Sequence, residues 1–293
     1  MTGPAAAAAK VLALCADDYG ASDGVCDGIL ELIGLGRLSA TSVLTGGPAW
    51  PARAAELAAL SAVQEGRVQV GLHFNLTEGR PLSQALAALH PHGLGLGELI
   101  VKAHARRLPV QVLTAEWRSQ WQAFVQAFGR APDYVDGHQH VHHLPQVREV
   151  VLNELTREAM REGASTLPSP PAVRATGRLC GPGHAFKRWV IEATGGAALQ
   201  RQLQTLGLRH NTTLWGAYDF VEPDYRRLMR QWLREMPAQG ALLFCHPGCA
   251  ASGPMEGNSD PIAPAREREW RYLRSEEFAD DLQEMGVRLG QAW

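Results

Sequence analysis

Three short segments of this chain concentrate side chains able to hold a cation and move a proton. They are Ala16-Asp17-Asp18-Tyr19-Gly20, Gly71-Leu72-His73-Phe74-Asn75 and Asp136-Gly137-His138-Gln139-His140-Val141-His142-His143, and each follows a short apolar run. Such a run, ending in polar residues, predicts a strand handing over to a loop, where α/β enzymes keep their chemistry. Consecutive aspartates on a strand project to opposite sides, so one of Asp17 and Asp18 can ligate a metal while its neighbour faces water. Two buried carboxylates side by side repel each other, and a divalent ion relieves that repulsion. The competing role for either aspartate is a helix cap or turn. His73, with Asn75 two positions on, would be a weak signal alone. On an extended backbone Asp136, His138, His140 and His142 share one side, and so many titratable groups pointing together into a core need partners. The competing explanation is a solvated histidine stripe. One carboxylate oxygen and two imidazoles leave coordination positions open for water and substrate, as in a catalytic site. These donors suit zinc, magnesium, manganese and other divalent ions alike. Cys245 and Cys249 flank His246 in a C-x3-C pair, but no second cysteine pair completes a closed zinc site, so a strand thiol followed by a loop thiol is expected.

The elements that must position these residues alternate between strand and helix. Apolar spacing predicts strands over 11–15, 40–44, 68–72, 134–138 and 240–245, and helices over 25–35, 51–62, 114–128, 146–161, 186–206, 225–236 and 267–285. Alternation of this kind implies βα units and a largely parallel sheet. Residues 77–113 loosen into Gly, Pro and His-rich sequence followed by a short helical piece around Glu98 to Arg107, and are expected to form an insertion beside the site, either a substrate lid or a surface excursion. The stretch Leu167-Pro168-Ser169-Pro170-Pro171 marks a loop. Trp215, Tyr218 and Phe220 can stack on a pyranose face or pack in the core.

Composition bounds the function. At 293 residues the chain fits one large α/β unit, and 45% hydrophobic with 20% charged residues supports a sizeable core. A formal charge of -2 gives no electrostatic footprint for nucleic acid or an anionic membrane, which leaves small-molecule chemistry. No stretch approaches the roughly 18 apolar residues of a membrane-spanning helix, and the alanine-rich start lacks a basic leader. Five scattered cysteines form no paired framework, so a cytoplasmic location is expected.

In order and approximate spacing, the Ala16–Gly20, Gly71–Leu82 and Asp136–His142 segments and His246-Pro247-Gly248 resemble the YdjC-like carbohydrate deacetylases, a group that includes diacetylchitobiose deacetylases and hopanoid biosynthesis-associated relatives. The resemblance runs from about Val11 to Gly290. It implies a single domain over 1–293, folded as an α/β distorted (β/α) barrel of mostly parallel strands, with the insertion at about 77–113. It implies one divalent ion, magnesium or zinc, held by Asp18, His73 and His138, with Asp17 as general base and His246 as general acid. His140, His142 and Asn75 would contact substrate or support the ligands. The expected reaction removes an N-acetyl group from an amino sugar and releases acetate; the expected partner is an N-acetylated sugar, with no nucleic acid and with a homodimer left open. The alternatives are another metal-dependent amidohydrolase or phosphoesterase on the same scaffold, or a non-catalytic sugar-binding protein. Tyr19 departs from the more usual Phe, and the segment 166–173 matches the family poorly.

Overall fold

A computed structural model describes residues 9–161, 170–249 and 260–293. Residues 1–8 of the alanine-rich start and the first half of the 166–173 segment, 166–169, lie outside the described residues. The strands are β1 (Lys10–Tyr19), β2 (Ala40–Val43), β3 (Gln69–Phe74), β4 (Tyr134–Gly137), β5 (Ala172–Val173), β6 (Thr213–Trp215), β7 (Ala241–Cys245) and β8 (Val287–Leu289). They pair in the order β5-β4-β3-β2-β1-β7-β6, every pairing parallel, with β8 against the start of β1. Isolated parallel bridges Val173↔His210 and Leu179↔Leu214 join the two ends, so the sheet curls into the distorted barrel that the sequence predicts.

Two packed layers follow from strand alternation. Leu12, Leu14 and Ala16 of β1 face outward into the main core with Ile29, Leu72 and Trp117. Ala13 and Cys15 face inward with Ala40, Tyr134, Leu242 and Phe244. The interior leaves no slack: a Cβ on Gly71 would lie 2.3 Å from the Tyr134 ring. Continuing the inward parity brings Asp17, His73, Asp136, Arg174 and His246 to the C-terminal mouth of the barrel, from five different strand ends.

The helices cover the outside. Ser22 caps Asp23–Gly34 by accepting from the Val25 N–H, and that helix buries Val25, Cys26, Ile29, Leu32 and Ile33 along one stripe. Residues 77–113 hold the short helix expected around 98–107, here Leu96–His104, and a further helix, Gln84–Leu89, that their composition does not predict. The long helix Val110–Phe128 ties them down: buried Glu116 accepts from the Leu82 and Ser83 N–H groups at 3.0 and 2.8 Å. Two expected helices are each divided. Residues 186–206 break at a π-helical turn, Glu192–Gly196, because Gly195 (φ 154) passes so close to His143 that a Cβ would lie 2.1 Å from its carbonyl oxygen. The last helix breaks at Ser275 into Ala263–Arg274 and Glu276–Glu284. Among the described residues no helix is long and apolar enough to cross a membrane.

Candidate metal centre

Strand alternation would send Asp18 to the outer layer, away from Asp17. The backbone prevents this: Asp18 has φ 72 and the β1–β2 register shifts between Ala16 and Tyr19, so both aspartates reach the same cavity. Asp18 Oδ1 then lies 3.4 Å from His73 Nε2 and 3.0 Å from His138 Nδ1. Two donors bound to one ion at about 2.1 Å sit about 3.0 to 3.4 Å apart at octahedral or tetrahedral angles, so these three residues fit a shared divalent ion. All three are buried.

Each of these three candidate ligands has a further partner. In the β3–β4 register His73 pairs with Asp136, and His73 Nδ1–H donates to Asp136 Oδ1 at 2.6 Å, leaving Nε2 aimed at Asp18. Glu78 Oε2 lies 3.2 Å from His138 Nε2, and Arg266 Nη2 donates to Asp18 Oδ2 at 2.8 Å. Burial opposes charge on all of these groups, and the ion pairs outweigh it. Arg266 and His138 hold the Asp18 carboxyl well below the usual range. Asp136 and Asp18 raise His73 to about 10, and Asp18 with Glu78 raises His138 to about 9.

Asp17, 2% exposed, faces a different partner. Arg174 Nη1 and Nη2 each donate to one Asp17 oxygen at 2.6 Å, and Nη2 also lies 2.6 Å from Asp136 Oδ2. Cys15, Asp17 and Asp136 form a second cluster of potential ligand atoms, and the Arg174 guanidinium fills it. His246 lines the same cavity, its ring edge-on to Phe220 and Phe244. Its Nδ1 has no hydrogen-bond partner, and burial pushes its pKa down to about 4.

A family model described as YdjC-like protein matches residues 11–284. The chain belongs to the YdjC-like family. Among curated proteins it is 37% identical over 145 residues to a chitooligosaccharide deacetylase of Escherichia fergusonii, a match covering 49% of this chain and 55% of that relative. The match thus spans about half the length of that protein. A crystal structure of an Enterococcus faecalis V583 protein, described as a candidate cellobiose-phosphate cleavage protein, superposes with a TM-score of 0.68 at 18% identity over 97% of this chain and 98% of that one. At that identity the likeness concerns the fold.

Within this YdjC-like site the histidine run departs from the extended stripe that its alternation predicts. β4 ends at Gly137, and His138–His143 forms a 3-10 turn in which Gln139 and His140 take left-handed backbone (φ 51 and 61). Only His138 and His140 of the run's histidines therefore line the cavity. His142 is fully buried and donates Nε2–H to the Arg174 carbonyl at 2.9 Å, so it braces the backbone just after β5 and does not line the cavity. Asn75 is also spent structurally. Its Oδ1 accepts from the Thr77 and Glu78 N–H groups and its Nδ2 donates to the Glu78 carbonyl, shaping the turn that presents Glu78.

Arg174, Arg266 and Glu78 escaped the sequence analysis. Glu78 lies in the Gly71–Leu82 motif, and its carboxylate three residues past Asn75 was an available signal. Arg174 follows a two-residue strand after a proline run, too short for alternation to register. Trp215 and Tyr218 are core residues, whereas Phe220 lines the cavity. Among the described residues the two clusters of potential metal ligands contain neither Cys245 nor Cys249; Cys245 points its thiol at the Cys15 carbonyl.

Proposed function

We propose that this protein is a metal-dependent hydrolase that removes the N-acetyl group from an amino sugar or sugar conjugate. The observation that carries the reading is the convergence of Asp18, His73 and His138 at the floor of a cavity of about 550 Å³, with Asp17 beside them. The matched chitooligosaccharide deacetylase supports the choice of an N-acetylated sugar.

A divalent ion held by Asp18, His73 and His138 would supply Lewis acidity for the amide carbonyl and an acidified water. Asp17 takes the proton of the attacking water. Arg174 fixes both its oxygens, so the base is aligned before substrate arrives. His246 enters neutral at pH 7 and gives the departing amine a proton only after taking one up. This modifies the simple expectation of a resting acid: burial keeps the imidazole uncharged until negative charge develops beside it. His140 offers a second neutral imidazole, also held uncharged by burial, whose Nδ1 lacks a partner and can serve the substrate.

The test is acetate release from N-acetylglucosamine oligomers by the full chain loaded in turn with zinc, magnesium and manganese. Asp17→Asn is expected to bind metal normally and to lose roughly a hundredfold or more in kcat. Full activity in that variant removes Asp17 as base. Turnover of phosphate monoesters without acetate release replaces the deacetylase by a phosphoesterase.

A further inference from the structure

The helix Ala263–Arg274 buries Ala265, Arg266, Glu269, Tyr272 and Leu273 along one stripe, where apolar residues are the rule and a charged one needs a partner. Arg266 donates to Asp18 and Asp260. One turn further on, Glu269 is fully buried.

Its carboxylate joins two segments. Oε2 accepts from the backbone N–H of His246 at 2.5 Å, and Oε1 accepts from the Tyr218 hydroxyl at 2.5 Å. Tyr218 leads to Phe220, which lines the cavity with φ 67 and sets its ring edge-on to His246, 5.3 Å between centres. The Phe220 carbonyl accepts from Arg268 Nη2 at 2.6 Å. Glu269 thus ties the turn that carries His246 to the loop that sets Phe220 against the His246 ring.

Both of these donors are neutral, which separates Glu269 from the aspartates at the mouth of the barrel. Asp17 is matched by Arg174, and Asp18 by Arg266 and the proposed ion. The imidazolium that forms when His246 takes up its proton therefore finds little uncompensated negative charge in either of them. Covalent geometry keeps that ring within about 7 Å of Glu269 Oε2, because the oxygen holds the backbone nitrogen of the same residue. At that range, with the partial screening of a protein interior, one negative charge favours the imidazolium by roughly 50-fold. Burial raises the Glu269 pKa to about 7 while its two hydrogen bonds pull it down, so the charged form is present at neutral pH.

We infer that Glu269 is a positioning residue for His246, anchoring the turn that carries it and supplying the countercharge to its protonated ring. The inference rests on the deacetylase reading, in which His246 protonates the departing amine. Glu269→Gln keeps the bridge, the amide oxygen accepting from the His246 N–H and the amide nitrogen donating to the Tyr218 oxygen, and removes only the charge.

The test is a double-mutant cycle on the zinc-loaded full chain, with Glu269→Gln, His246→Gln and both together, read as kcat for acetate release from N-acetylglucosamine oligomers. Glu269→Gln is expected to lose roughly ten- to fiftyfold in kcat with KM unchanged, and less than about twofold in the His246→Gln background. Zinc affinity, measured by competition with a chromogenic chelator, and the urea midpoint stay as in the wild type. Tyr218→Phe removes a hydrogen bond that favours the carboxylate; it carries the same cycle, with a smaller loss, if Glu269→Gln does not fold. An equal proportional loss in both backgrounds overturns the inference, and so does wild-type kcat in Glu269→Gln. A fall in zinc affinity overturns it too, since Glu269 then acts through Arg266 on Asp18. No acetate release by the wild type contradicts the deacetylase reading itself, and the inference falls with it.

Discussion

Arg174 and Asp17, 157 residues apart in sequence, meet through two 2.6 Å hydrogen bonds inside the barrel, where Arg174 is fully buried. The same guanidinium reaches Asp136, which holds His73, so one cation aligns the proposed base and, through Asp136, a proposed metal ligand. Lysine cannot reproduce this planar fork. Arg174→Lys is expected to fold, to retain metal, and to lose roughly a hundredfold in kcat through misplacement of Asp17. Arg174→Ala leaves Asp17 and Asp136 buried without their cation and is expected to cost about 3–5 kcal/mol in urea unfolding. Wild-type kcat in Arg174→Lys would contradict the alignment role.

In the proposed metal centre Asp136 acts through His73, whose Nδ1–H it accepts. Arg174 and His73 hold its pKa down at about 2 against the effect of burial, so it is a carboxylate throughout the working range. Asp136→Asn weakens the acceptor for His73 Nδ1–H, and a drop of roughly 10- to 100-fold in zinc affinity is expected by competition with a chromogenic chelator. Unchanged affinity would show that His73 needs no orienting partner.

Protons and metal compete for the same imidazoles. Without an ion, His73 and His138 carry protons up to about pH 10 and about pH 9, because the flanking carboxylates outweigh the cost of burial. Metal binding must expel those protons, so the apparent affinity is expected to rise with pH between about 6 and 8.5, by up to roughly a hundredfold per unit where both leave. The sign for stability follows from the raised pKa values. The contribution of these pairs to the metal-free protein is complete below about pH 6.5 and is lost as pH rises through about 9 and then about 10. Melting temperatures of chelated protein across that span check it; a flat affinity profile would contradict the competition.

The long apolar strands were legible because each ends in polar residues: β3 and β4 carry His73 and Asp136 and β7 leads into His246 as that pattern predicts, whereas β1 runs on to Tyr19 and so holds Asp17 and Asp18 within the strand instead of in the loop expected after residue 15. What was not legible arises from backbone that leaves its regular path or is too short to show one. Asp18 reaches the cavity through a left-handed residue that alternation does not anticipate. His140 and His142 part company because Gln139 and His140 turn the chain out of extension. Arg174 follows a strand of two residues, and Arg266 sits in a helix that begins at Ala263, ahead of its expected start at Glu267. Asn75 stood where a substrate contact is plausible by sequence, yet two free backbone N–H groups downstream claim its side chain.

The central claim is that Asp18, His73 and His138 grip one ion, and anomalous diffraction from zinc-soaked crystals tests it most directly. The account predicts a single strong peak within about 2.3 Å of Asp18 Oδ1, His73 Nε2 and His138 Nδ1 together. A peak at Cys245 and Cys249, or zinc bound to only one of those three residues, would contradict it.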